Sequence, residues 1–196
     1  MAHIDVDRIE AAVTELISAI GENPHRAGLA DTPRRVAEAW QEYFAGLGTD
    51  PLSHLADPVE LDGDVSPSGP VIMRGIHFRS MCEHHLVPVL GTAHLAYVPR
   101  DRVVGLGALP RVVETLATRP QLQERLTEQI ADTLHEGLDA HGVLVIIEAA
   151  HGCVTARGVR QTDSTIVTLA TRGTLDDPTA RAEIMALISP GEGGDG

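Results

Sequence analysis

The chain has 196 residues, a formal net charge of −13, and 43% apolar, 22% charged and 3% aromatic residues. That length supports one substantial core, while strong acidity with so few aromatics excludes a general nucleic-acid or membrane-surface binder. An anionic small molecule stays possible, because a pocket can be locally basic.

No run approaches the ~18 apolar residues of a membrane span. Met1 to Arg8 lacks the apolar segment of a signal peptide, so a cytoplasmic protein with reduced thiols is expected.

Val6, Ile9, Val13, Leu16, Ile17 and Ile20 recur at helical spacing and predict a helix over 5–20, stopped at Gly21. Thr32-Pro33 predicts a second helix, with Thr32 as N-cap and Pro33 at the first helical position. It carries Val36, Trp40 and Phe44 and ends near Gly46. Arg34 and Arg35 occupy its first turn, where the helix dipole disfavours positive charge; they are either solvated or an anion contact. Residues 46–69 are rich in Gly, Pro, Asp and Ser and predict a long connection.

Val71 to Phe78 predicts a strand, and Val87 to Val98 a second, bent or bulged near Pro88 and Gly91. Helices are predicted over about 109–118 and again after Pro120. In the latter, Leu122, Leu126, Ile130 and Leu134 form the core-facing stripe, which His141-Gly142 breaks. Strands over 143–150 and 164–171, a helix over 178–188 and a disordered Gly-rich tail complete the chain.

The expected division is a helical region with its connection over 1–69, a domain over 70–190, and a flexible tail over 191–196. The order β-β-α-α-β-β after residue 70 implies an α+β fold with antiparallel hairpins in a four-stranded sheet. Such a sheet has two open edges, and assembly through them is one way to cover a strand such as 164–171.

The chemistry concentrates in two short stretches. Ser80-Met-Cys-Glu-His-His places a thiol, a carboxylate and two imidazoles in succession, and His151-Gly-Cys holds the second of the two cysteines. Cys82 and His85 have the spacing that lets one turn present both side chains to a single ion. His151 and Cys153 share a face if the preceding apolar run is a strand that continues through them. Cys82, His85 and Cys153 make three ligands of the type that favours zinc, with a fourth position open as catalytic zinc requires. His84 and His151 are then left for proton transfer. The same residues also permit a disulfide, two buried thiols, or a closed structural zinc site with a histidine as fourth ligand.

Other chemistries lack their motifs. No G-x-x-x-x-G-K-[ST] loop is present. Gly105-Leu-Gly-Ala-Leu-Pro110 opens like a dinucleotide fingerprint, but Pro110 stands at the third glycine and no βαβ unit surrounds it. The H-x-E and P-C-x-x-C pair of zinc deaminases is absent.

Ser80-Met-Cys-Glu-His-His-Leu-Val, Ala96-Tyr-Val-Pro, Arg119-Pro-Gln-Leu-Gln-Glu-Arg-Leu-Thr and His151-Gly-Cys-Val-Thr-Ala-Arg-Gly together resemble GTP cyclohydrolase I. Asp31-Thr-Pro-Arg-Arg-Val-Ala resembles that family's second helix, and the likeness extends over roughly residues 5–190. The resemblance implies the tunnelling fold, an oligomeric barrel, and a homodecamer with active sites at subunit interfaces. It also implies conversion of GTP and water to formate and 7,8-dihydroneopterin triphosphate, which feeds pteridine and folate synthesis.

Carried onto this chain, the resemblance makes Cys82, His85 and Cys153 the Zn2+ ligands, and His84 and His151 the residues that move protons. Glu124, with Gln123 beside it, matches the guanine-recognising carboxylate, whose two oxygens can accept from N1–H and the 2-amino group together. Arg35, Arg111 and Arg157 match arginines that bind the triphosphate. The departure is at Gly107-Ala108, where relatives usually carry lysine in place of Ala108 and many carry serine in place of Gly107. Two other readings compete. One is a diverged paralogue that acts on a guanine nucleotide in another pterin or deazapurine pathway; the other is a non-catalytic zinc-bearing assembly protein.

Overall fold

The computed structural model describes residues 4–61 and 69–188; the predicted tail over 191–196 lies outside them. In chain order the elements are α1 (Val6–Ala19), α2 (Thr32–Tyr43), a 3-10 turn (Pro51–Leu55), β1 (Val59–Glu60), β2 (Val71–Cys82) and β3 (Pro88–Val98). There follow β4 (Arg102–Val103), α3 (Ala108–Ala117), β5 (Pro120–Gln121), α4 (Gln123–Leu138) and β6 (Gly142–His151). A short α5 (Gly152–Thr155), β7 (Ile166–Gly173), a second 3-10 turn (Thr174–Asp176) and α6 (Pro178–Ile188) complete the described chain. The expected β-β-α-α-β-β order of an α+β fold holds for β2, β3, α3, α4, β6 and β7. Among the described residues no helix is long and apolar enough to cross a membrane.

The main sheet has five strands in the order β5-β2-β3-β6-β7, not four. β2, β3, β6 and β7 pair antiparallel, and the two-residue β5 pairs parallel to the end of β2, with Met81 opposite Pro120 and Cys82 opposite Gln121. Period-two alternation divides β6 between two faces. Val143, Val145 and Ile147 join Leu95 and Tyr97 in a core closed by Val112, Leu126, Ile130 and Leu134 from α3 and α4. Leu144 points the other way, into a smaller cluster with Ala96, Leu175, Ile184 and Ile188. Burial on both faces explains why β6 reads as an unbroken apolar run.

Several local expectations are corrected. The bulge falls in β2 between Met73 and Ile76, around Gly75, and not near Pro88 or Gly91. Thr32 is the first residue of α2 and Asp31 is its N-cap; the Asp31 carboxylate caps no backbone N–H and accepts from Arg35 at 3.1 Å. α4 stops before His141-Gly142, at the left-handed Asp139. The stretch after Gly46 is also more than a connection. Its 3-10 turn puts Leu55 into the main core, and the backbone at Gly46 docks directly on α3. The Gly46 N–H donates to Thr118 O at 3.1 Å, and Arg119 Nε donates to both Gly46 O at 3.1 Å and Thr115 O at 3.0 Å.

Candidate active site

Both chemistry-bearing stretches lie where β2 and β6 end side by side. β3 starts between them, pairing Pro88 with Met81 on one flank and Val89 with His151 on the other. The turn from Cys82 to Val87 is closed by Leu86 N–H to Cys82 O at 2.8 Å and Cys82 N–H to Val87 O at 3.0 Å. Leu86 takes a φ of 49°, in the left-handed region that costs a residue with a side chain energy.

On the other side β6 does not continue through Cys153, as the same-face argument required. It stops at His151, and the chain turns into α5, where Thr155 Oγ1 donates to His151 O at 3.1 Å. Gly152 permits the turn, because a Cβ there would stand 2.9 Å from Pro88 O.

The result brings together the three residues picked out as ligands. The donor atoms of Cys82, His85 and Cys153 all lie within 4.8 Å of one another, with Cys82 buried, Cys153 half-buried and His85 exposed. Both cysteines are free thiols. Burial pushes the Cys153 thiol up, and the neighbouring Cys82 adds to that shift. Two thiolates this close, partly desolvated, repel each other unless a cation sits between them. The group could therefore hold a metal ion, with its exposed edge at His85.

His84 is exposed beside the group and its ring lies edge-on to that of His85, 6.3 Å away between centroids. His151 is half-buried, with its pKa pushed down by burial and partly restored by the Glu124 carboxylate. Glu124 itself is exposed in the first turn of α4. Its neighbour Gln123 turns inward, is 4% exposed, and meets His151 Nε2 through its carboxamide oxygen at 2.7 Å.

The three arginines occupy separate places. Arg157 stands in the exposed loop after α5, where its charge acts on Cys153. Arg111 is exposed on α3 and lines a small cavity with His54, Glu114 and Thr118. Arg35 pairs with Asp31 on α2. Arg34 pairs with Glu38 at 2.7 Å, so the unfavourable first-turn charges are met by i, i+4 carboxylates on their own helix. Ala108 is 8% exposed and packs in the main core as the first residue of α3.

Sequence reasoning gave no role to Glu83, Gln121 or Arg125, which brace the turn carrying Cys82 and His85. Arg125 pairs with Glu83 and donates to Pro120 O at 3.2 Å and to Gln121 Oε1 at 3.0 Å. Gln121 in turn donates to Leu116 O and Gln129 Oε1, both at 2.9 Å. Glu83 lay inside the singled-out stretch, whereas Gln121 sits in β5, ahead of α4, so its bond to Arg125 follows no helix-face spacing.

Comparison with known proteins places this geometry in context. Residues 9–189 match the family model described as GTP cyclohydrolase I. A GTP cyclohydrolase 1 from Leifsonia xyli subsp. xyli (strain CTCB07) is 57% identical over 191 residues, spanning 97% of this chain and 99% of its own. Relatives of the same name from Geobacillus sp. (strain WCH70) and Bacillus subtilis (strain 168) are each 49% identical over 190 residues, or 96% of this chain, and are covered over 99% and 98% of their own lengths. Among solved structures, the archaeosine synthase QueF-Like in its apo form aligns with a TM-score of 0.44 at 18% identity, over 56% of this chain and 97% of its own.

Proposed function

Because the chain belongs to the GTP cyclohydrolase I family, we propose that its site hydrolyses the imidazole ring of GTP, giving formate and 7,8-dihydroneopterin triphosphate. The observation that carries this reading is the Cys82, His85 and Cys153 group, with donor atoms within 4.8 Å of one another and an exposed edge.

Two thiolates and one imidazole are the donors zinc prefers. Their donor atoms, within 4.8 Å of one another, would hold the ion. When bound there, zinc supplies a Lewis acid that lowers the pKa of water at the open position.

The remaining steps belong to the chain. Glu124 is exposed and can accept the N1–H and 2-amino hydrogens of guanine together, a pair that adenine does not offer. His84 and His151 flank the group and carry protons to and from the ring nitrogens as the ring opens. Arg157, Arg111 and Arg35 hold the triphosphate. Their placement on α2, on α3 and after α5 is compatible with a site completed between subunits of a homo-oligomer, the decamer of the family. The edge strand β7 supports the same assembly: it exposes Ile166 by 40%, Val167 by 62% and Leu169 by 39%.

The test is a stoichiometric metal assay paired with GTP turnover, followed by formate release and by absorbance of the oxidised pterin. About one zinc per chain with turnover is expected. Full turnover by exhaustively metal-free protein would overturn the reading.

A further inference from the structure

Gln123 begins α4 on the helix face that also carries Leu126, Ile130 and Leu134, where packing calls for an apolar side chain. It is 4% exposed, yet every polar atom of its carboxamide is engaged. Nε2 faces Ile166 O at 2.8 Å, Thr168 Oγ1 at 3.1 Å and Ile147 O at 3.2 Å. Oε1 faces His151 Nε2 at 2.7 Å.

The direction of each bond follows from what the groups can do. Backbone carbonyls only accept, so the end of the amide that meets Ile147 and Ile166 must be the NH2 end. Reversing the amide would set its oxygen against two carbonyl oxygens, giving up these bonds and leaving buried acceptors unpaired. The hydroxyls agree with this sense. Thr127 Oγ1 donates to Gln123 O at 2.7 Å, so its 2.7 Å contact with Thr168 Oγ1 must be donated by Thr168. That leaves Thr168 Oγ1 to accept from Gln123. The oxygen end of the amide therefore meets His151, and an amide oxygen only accepts.

We infer that Gln123 is a positioning residue that holds the His151 ring with its hydrogen on Nε2, leaving Nδ1 as the nitrogen that exchanges protons with the reacting molecule. This rests on the proposed role of His151 as proton carrier. Gln123 ties the ring to three elements at once: the start of α4, the end of β6 through Ile147, and the edge strand β7 through Ile166 and Thr168. The ring of a proton carrier must keep one nitrogen free and aimed, and a ring tethered at its other nitrogen meets that need. Gln123 thus acts through His151, and its side chain is withheld from the substrate.

The test reads the tautomer directly. Zinc-loaded, assembled protein labelled with nitrogen-15 and carbon-13 histidine is examined by solid-state NMR at mildly alkaline pH. The His151 signals are identified by their loss in His151→Ala. Wild type should show the Nε2–H tautomer alone; finding Nδ1–H overturns the inference whatever any variant does.

Gln123→Met, of similar length and without hydrogen bonds, should mix the two tautomers while zinc content is unchanged. Its kcat for GTP should fall about 10- to 100-fold, with KM within about twofold of wild type. Thr168→Val, which removes one of three acceptors around Nε2, should cost less than about threefold in kcat. An unchanged kcat in Gln123→Met, or a loss confined to KM, overturns the inference, the latter by placing Gln123 against the substrate. If Gln123→Met does not assemble, the wild-type spectrum decides alone. A wild type that turns over no GTP refutes the proposed reaction and leaves the tautomer test standing.

Discussion

The middle of the sheet and the end where β2 and β6 stop are built on opposite rules. In the middle, Leu95, Val143, Leu144, Val145 and Ile147 are all fully buried in apolar clusters. At the end, the donors Cys82, His85 and Cys153 range from buried to exposed, and the backbone at Leu86 is held in a costly conformation. The interior there is polar, but its polar side chains are spent in two directed sets, Gln121 with Arg125 and Gln123 with His151. Stability is concentrated in the first region, which can therefore carry the strain and buried polarity of the second.

Substitutions that separate the two regions test this contrast, and the largest effects belong at the site. Cys153→Ala should lose both metal and turnover while leaving the denaturation midpoint of the metal-free protein nearly unchanged. Metal content, kcat and a urea titration of the apo forms together check it. His151→Ala should keep the metal and lose on the order of 10²–10⁴ in kcat. Loss of zinc from this variant would make His151 a ligand.

In the middle of the fold the sign reverses. Leu134→Ala removes a fully buried α4 side chain and should cost about 2–5 kcal/mol of stability, with kcat per folded chain unchanged. A fall in kcat larger than the folded fraction explains would show that the core and the site are not separable.

Glu124→Gln should lower kcat/KM for GTP by about 1.5–3 kcal/mol, roughly 10- to 150-fold, because an amide accepts one guanine hydrogen and opposes the other. An unchanged value would leave Glu124 a solvated helix residue. The smallest effect is expected at Ala108→Lys. A lysine there should lower KM for GTP roughly threefold at low salt and less at high salt. It also sets a charge at the N-terminal end of α3 and forces its stem out of the core, so the melting temperature should fall. A KM that ignores both the lysine and the salt would remove position 108 from the phosphate site.

The same contrast governed what the sequence revealed. β6 was legible as an unbroken apolar run because both its faces are buried. The stripe of Leu126, Ile130 and Leu134 was legible because burial of one helix face imposes a period on apolar residues. The Cys82, His85 and Cys153 group was legible because cysteine is rare here and its spacing is chemically specific. The two-residue β5 and the bulge around Gly75 were not, since neither is long enough to impose a pattern. The continuation of β6 through Cys153 failed because the close approach of Gly152 to Pro88 is a long-range fact. Gln123 is the instructive case. Its polarity and its place beside Glu124 suggested contact with substrate, whereas its phase on the apolar stripe, three residues before Leu126, already turned it inward.

The Gly46 junction constrains how this chain can change. Any side chain at that position would overlap the Thr115 carbonyl oxygen, and the carbonyls of Gly46 and Thr115 share one guanidinium, that of Arg119. No single replacement at residue 46 is compatible with the present backbone of α3. Variation there has to arrive as a correlated set involving the far end of α3, so sequence drift in the N-terminal helices and in α3 cannot proceed independently. A saturation library at residue 46 should yield glycine alone among folded clones, and tolerated alternatives should surface only when residues 115–119 are varied with it.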